Sequence, residues 1–229
     1  MTAAGGRTAL LLTGTGRYAD PWHPFEETTA ALESLLSEAG FSVTIPEDVD
    51  TALERLADDA PPSLLAVNIG LPRDGRPSPG TPEARAGLSC WLSRGGPLLA
   101  AHVSSTSLLD LPEWEVALGG RWVRGTSMHP DYGPARINLH TDSGPLVQGL
   151  QDFELMDERY CYLRTSPEIT VHATHHHEGI EHPVIWSLTR NDKGRTFYDA
   201  LGHDSAAYTS PEHRELLSRA IAWLASDSR

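Results

Sequence analysis

Cysteine is nearly absent from this chain: Cys90 and Cys161 are the only two in 229 residues, too few and too far apart for a disulfide framework or a thiolate metal site. A reducing cytoplasm is the compartment this predicts. Positive charge is scarce as well. With 18 Lys+Arg against 31 Asp+Glu the net charge is -13, so a phosphate backbone or an anionic leaflet is repelled, and neither nucleic acid nor a membrane surface is expected as a partner. Long apolar runs are missing too. The opening "MTAAGGRTALLLTGTG" has one basic residue and an apolar run too short for a secretion signal, and nothing later approaches a spanning segment. Also missing are a G-x-G-x-x-G turn after a strand, a phosphate-binding G-x-x-x-x-G-K-[ST], a G-x-S-x-G elbow and an H-E-x-x-H pair. "LLTGTGRYAD" starts like a dinucleotide turn but lacks the third glycine, which argues against a nicotinamide cofactor.

What is present is the grammar of an α/β fold: strand-like runs alternating with helical patterns, as in a parallel sheet covered by helices. The length suits one domain over residues 1–229. "TALLLTG", "FSVTI", "SLLAVNIG" and "PLLAAH" read as buried strands, and "FEETTAALESLLSEAG", "TALERLADD" and "EARAGLSCWLSRGG" as the helices between them. "LPRDGRPSPGTP" reads as a loop, either a plain surface connection or a lid. After about residue 120 the reading changes to consecutive strands: "RWVRGTSM", "ARINLH", "FELMDERYCYL", "EITVHAT" and "PVIWSL" with "GRTFYDAL", the last two joined by a hairpin turn at "TRNDKG". An antiparallel extension of the first sheet is predicted. A final helix follows, with Ser210 as N-cap, Pro211 in its first position and a stripe of Leu216, Leu217, Ala220, Ile221 and Leu224.

Ligands of open α/β sheets bind beyond the carboxyl ends of the strands, and His102 and His203 each stand just after an apolar strand run. Each alone is equally a histidine that caps a strand end; two together point to a site. In "MDERYCY" one carboxylate of Asp157-Glu158 must face the apolar side, and burial is costly unless it is paired or coordinated. His23 before the first helix and His129 after a strand-like segment read singly as loop histidines. His175 and His177 of "THHHEGIEH" share a strand face and resemble metal ligands, but the segment also reads as a solvent-exposed hairpin tip.

The ordered set of His23, "LSCWLSRGGPLLAAH", "EVALGGRWVRGTSMHP", "PLVQGL", "FELMDERYCY", "PVIWSL", "GRTFYDALGHD" and "AIAWLA" resembles the trehalose-utilisation (ThuA-like) family over nearly the whole chain. The resemblance implies a fold similar to class I glutamine amidotransferases, hence a doubly wound, flavodoxin-like and mostly parallel sheet with helices on both faces. It implies that His23, His102, Glu158 and His203 face one pocket, with His129 and Tyr160 close by. One departure is Gly144-Pro145 before "LVQGL", where many relatives carry His-Pro. A glutaminase is argued against, because the turn after the fourth strand reads "AAHVSSTS" and holds no cysteine. Ser104 or Ser105 remains as a substitute nucleophile.

The expected function is an enzyme of carbohydrate catabolism, a hydrolase, lyase or isomerase acting on a disaccharide or keto-sugar derivative. His102, Glu158 and His203 are its acid/base groups or, if a divalent metal is bound, its ligands. His23, His129, Tyr160 and Tyr208 are the expected substrate-binding residues, with Trp22 and Trp114 as further stacking candidates. The alternative is a non-catalytic sugar-binding or regulatory module on the same fold. A small carbohydrate is the expected partner, and self-association is left open.

Overall fold

The computed structural model describes residues 6–58, 60–190 and 194–226. Its first half alternates as expected: β1 (Thr8–Thr13), α1 (Phe25–Glu38), β2 (Ser42–Thr44), α2 (Val49–Glu54), β3 (Leu64–Asn68), α3 (Pro82–Ser93) and β4 (Leu98–Ala101). Local chemistry sets these boundaries. Asp48 and Thr81 cap α2 and α3 by accepting the N–H groups of Thr51 and Ala84, and Gly40, at φ +86°, ends α1. β3 and β4 are buried along their whole length, because helices cover both faces. α2 and α3 approach so closely that a Cβ on Gly87 would strike the carbonyls of Leu53 and Glu54, a contact only glycine permits.

The second half adds α4 (Pro112–Leu118), β5 (Gly120–Arg121), β6 (Gly133–Leu139), β7 (Phe153–Asp157), β8 (Arg164–Thr165), β9 (Thr170–His177), β10 (Ile180–Arg190), β11 (Gly194–Asp199) and α5 (Pro211–Leu224). Among the described residues the main sheet runs β2-β1-β3-β4-β11-β10-β9-β6-β7. Neighbours from β2 through to β11 are parallel, and from β11 to β7 antiparallel. With β11 in fifth place this is the doubly wound flavodoxin-like order, carrying the antiparallel extension the sequence predicts. The chain moves in opposite directions along the sheet from β1 to β2 and from β2 to β3, so right-handed crossovers put α1 and α2 on opposite faces; α5 packs beside α1, and α3 beside α2. Ser210 caps α5 through the His213 N–H, and the expected stripe of α5 is buried.

Three expectations need correction. "RWVRGTSM" is strand only at Gly120–Arg121, because the N–H groups of Thr126 and Ser127 both turn back to the Val123 carbonyl around Gly125. "FELMDERYCYL" stops as a strand at Asp157, whose carboxylate accepts the next N–H, and Cys161 meets Met128 only in an isolated bridge. The hairpin tip after the histidine triplet is Glu178–Gly179, with φ +48° and +85°, the two positive values of a type I′ turn. His175 lies inside β9 opposite His182 and is fully buried, so the exposed reading fails for it while holding for His176. Residues 191–193 of "TRNDKG" lie outside the described residues, although Arg190 and Gly194 pair on either side. No helix among the described residues is long and apolar enough to cross a membrane.

Candidate functional site

β1, β3, β4 and β11 end at one edge of the sheet, and four antiparallel steps bring β7 back to the same sense. Side chains just past these ends therefore converge. Asp20 folds the β1–α1 loop by accepting the N–H groups of Trp22 and His23 at 3.0 Å and holds His23 Nδ1 at 2.8 Å. His102 is the first residue beyond β4 and sits at φ +41°, a strained value for a non-glycine residue. Its carbonyl accepts the Tyr198 hydroxyl at 2.7 Å, and its Nδ1 lies 2.7 Å from the Ala200 carbonyl. The ends of β7 and β11 are tied by Asp157, which is fully buried and accepts N–H groups from Gly202, His203 and Glu158 at 2.6, 3.1 and 2.7 Å. Burial pushes the Asp157 carboxyl up to about 7 in spite of those donors.

One donor atom from each of His23, His102, Glu158 and His203 lies within 4.8 Å of the others. The three imidazole centroids are 5.2, 5.1 and 5.5 Å apart. Glu158 Oε2 is 3.2 Å from His203 Nδ1, 3.6 Å from His129 Nε2 and 3.8 Å from His102 Nε2. With Nδ1–H of His23 assigned to Asp20 and Nδ1–H of His102 to Ala200, both Nε2 lone pairs turn inward. His102 Nε2 receives the Tyr160 hydroxyl at 3.1 Å, whereas His23 Nε2 is buried with no hydrogen-bond partner, which is unusual for a buried polar atom, and His203 Nδ1 has only the Glu158 carboxylate in reach. Burial pushes His102 down to about 4, helped by the like charge of His23 and His203. Burial opposes ionisation of Glu158 as well, but the facing imidazoles of His102 and His203 outweigh it and hold the carboxyl well below its usual range. His203 is raised, Glu158 overcoming its burial.

The sequence profile of the trehalose-utilisation family, ThuA, matches residues 9–224. The chain belongs to the ThuA family. It is similar in structure to a ThuA-like protein from Parabacteroides merdae, at 19% identity and TM-score 0.76, covering 96% of this chain and 90% of that one. A ThuA-like protein from Bacteroides uniformis gives 18% identity and TM-score 0.72, with 98% and 94% covered. A glutamine amidotransferase from Thermotoga maritima shares the fold at 10% identity and TM-score 0.58, with 96% and 99% covered. No curated protein matches the sequence.

In this ThuA chain a cavity of about 420 Å³ opens over the cluster, lined by His23, Glu158, His129, Tyr160, Trp22 and Trp122 among others. His102 and His203 stand behind that wall. Tyr208 is not there: it is buried beneath Gly202 and stacked on His213, because Gly202, at φ +99°, turns the following chain under the site. Trp114 is likewise core, its indole N–H donating to the Ser104 carbonyl at 3.1 Å. Ser104 and Ser105 are buried and donate to the carbonyls of Val67 and His102, so neither hydroxyl stands free as a nucleophile. His175 donates from Nε2 to the Tyr160 carbonyl at 3.0 Å and supports the site from behind. Sequence reasoning missed Asp20, Asp157 and Trp122 as site residues. Asp20 had a signal, an acid three positions before His23; Asp157 had half of one, since the acidic pair required one buried member.

Proposed function

We propose that this ThuA-family protein is an enzyme of carbohydrate catabolism, processing a disaccharide or keto-sugar derivative with a divalent metal held by His23, His102, Glu158 and His203. The observation that supports it is the convergence of three imidazole nitrogens and one carboxylate within 4.8 Å, with His23 Nε2 buried without a partner. Such a nitrogen-rich set with one carboxylate suits a first-row transition metal or zinc. Asp20 behind His23 and the Ala200 carbonyl behind His102 are the supports that ligating histidines generally have. His23 becomes a ligand in this reading rather than a substrate-orienting group. A divalent metal held by these four residues would supply Lewis-acid polarisation of a sugar carbonyl or hydroxyl.

The chain's own groups do the rest. His129 Nδ1 lies 2.9 Å from the Pro130 carbonyl, which leaves Nε2 at the cavity wall, 3.6 Å from Glu158 Oε2, to take or return a proton of the substrate. The Tyr160 hydroxyl lies on the cavity wall, 3.1 Å from His102 Nε2, and would be placed to donate to the substrate were His102 Nε2 engaged as a ligand. Trp22 and Trp122 offer flat faces for the sugar. A glutaminase role is not proposed: Cys90 lies in α3, and burial pushes the Cys161 thiol up to about 11, too high for a thiolate nucleophile at neutral pH. Two unpaired cysteines also suit work in a reducing cytoplasm. A second, metal-free reading is favoured by one contact, His203 Nδ1 at 3.2 Å from Glu158 Oε2, which makes an acid/base pair. Turnover of a panel of disaccharides and their keto derivatives, in wild type and His203→Ala, is the test. Turnover abolished with sugar binding retained is expected; binding without turnover in wild type would establish a non-catalytic module instead.

A further inference from the structure

We infer that the cavity takes a sugar bearing an anionic group, a carboxylate or a phosphate, rather than a neutral sugar. The inference rests on the carbohydrate reading above and narrows its substrate class. Acids outnumber bases 31 to 18 over the chain, yet the cavity wall reverses that balance: Arg73, Arg121 and Arg124 stand against Asp20 and Glu158. Both acids are already engaged. Asp20 holds His23 Nδ1 through both oxygens at 2.8 Å, and Glu158 faces the imidazoles of His102, His129 and His203.

Among the described residues Arg73 and Arg124 have no such carboxylate, and Arg121 is engaged only in part, by Glu115 and by the Trp122 carbonyl. Arg124 is exposed and has no ion pair among the described residues. Arg73 lies over the Trp22 ring, 4.3 Å from its centroid. The neighbouring Asp74 is bound instead by Arg17 at 2.9 Å and Arg76 at 2.7 Å. Arg121 has Glu115 at 3.5 Å, but that carboxylate is held in a two-pronged pair by Arg164 at 2.7 and 2.8 Å. Three guanidinium groups with donors to spare, on the wall of one small cavity, make a receptor for the planar or tetrahedral oxygens of a carboxylate or phosphate. Trp22 sits 54% exposed under Arg73, and Trp122 precedes Arg124 by two positions on the Arg121 side of the wall. The wall thus offers aromatic faces for the ring together with cations for its charged substituent.

The experiment is calorimetric titration of the metal-loaded protein with glucose, glucuronate and glucose 6-phosphate, repeated at raised ionic strength and in Arg73→Gln and Arg124→Gln, both exposed positions whose melting temperatures confirm an intact fold. At least one charged sugar should bind about tenfold or more tightly than glucose. That preference should shrink with salt and fall in both variants by more than any accompanying change in glucose affinity. Preference for glucuronate alone identifies the carboxylate, for glucose 6-phosphate alone the phosphate. Equal binding of all three, no binding of either charged sugar, or a preference undiminished in the variants overturns the inference. Turnover of neutral sugars with no charged-sugar preference would sink this inference and leave the enzyme reading standing. Tight binding of a charged sugar by a protein that turns over nothing would do the reverse.

Discussion

Asp157 directs both its oxygens at main chain, taking the N–H groups of Gly202, His203 and Glu158 from inside the protein. One side chain thereby fixes the backbone of two residues of the cluster that come from opposite ends of the C-terminal half. Removing it leaves one buried and two half-buried N–H groups unpaired, at up to about 1–3 kcal/mol for the buried one before relaxation and less for the others. Asp157→Ala should therefore destabilise the protein strongly. Asp157→Asn should keep the fold while turning a donor toward an N–H and weakening metal affinity about 10- to 100-fold, read by denaturant unfolding and by competition with a chelating dye. Unchanged metal affinity in the Asn variant would show that Asp157 braces the fold without positioning the ligands. Sequence showed that one acid of the pair had to be buried but not which, because β7 ends between them. Tyr208 misled for a related reason: it lies five positions beyond His203, and the left-handed Gly202 that aims His203 sends the later chain beneath the site.

At the scale of elements, β1 to β4 and their helices were legible because apolar runs, caps and glycine stops all agree. The stretches at 120–132 and 158–163 were not. Tyr160 and Cys161 are buried and Trp122 is half-buried against Tyr160, all without pairing in the main sheet, and periodicity does not separate such burial from that of a strand. The histidines of β9 carry a prediction of their own. His172 is held between the Ser143 and Ser187 hydroxyls, at 2.8 Å from each, and burial pushes it and His175 down to about 4. An unfolded chain takes up these protons near pH 6.5, which the folded chain refuses. Their contribution to stability is then complete above about pH 6.5 and is lost as pH falls toward 4. The melting temperature should drop across that window, and His172→Gln should flatten the drop; an identical slope in the variant would assign the acid sensitivity to other groups.

For the whole molecule, a doubly wound sheet collects the ends of β1, β4, β7 and β11 at one edge, and the family's fold, shared with an amidotransferase, is the frame for that. The turn after β4, where a glutaminase of this fold is expected to carry cysteine, presents His102 at φ +41°. The shared fold therefore carries a histidine at this turn, and any function is to be argued from the site rather than the fold. The central claim is that His23, His102, Glu158 and His203 hold a metal. Metal content by mass spectrometry, on protein purified without a nickel column, tests it most directly in wild type, in His203→Ala and in a His176→Ala/His177→Ala double variant that spares the buried His175. Near-stoichiometric divalent metal in wild type and the double variant, lost in His203→Ala, is the predicted result. Metal-free wild type that also fails to take up added zinc or manganese, or metal lost only with His176 and His177, would contradict the account.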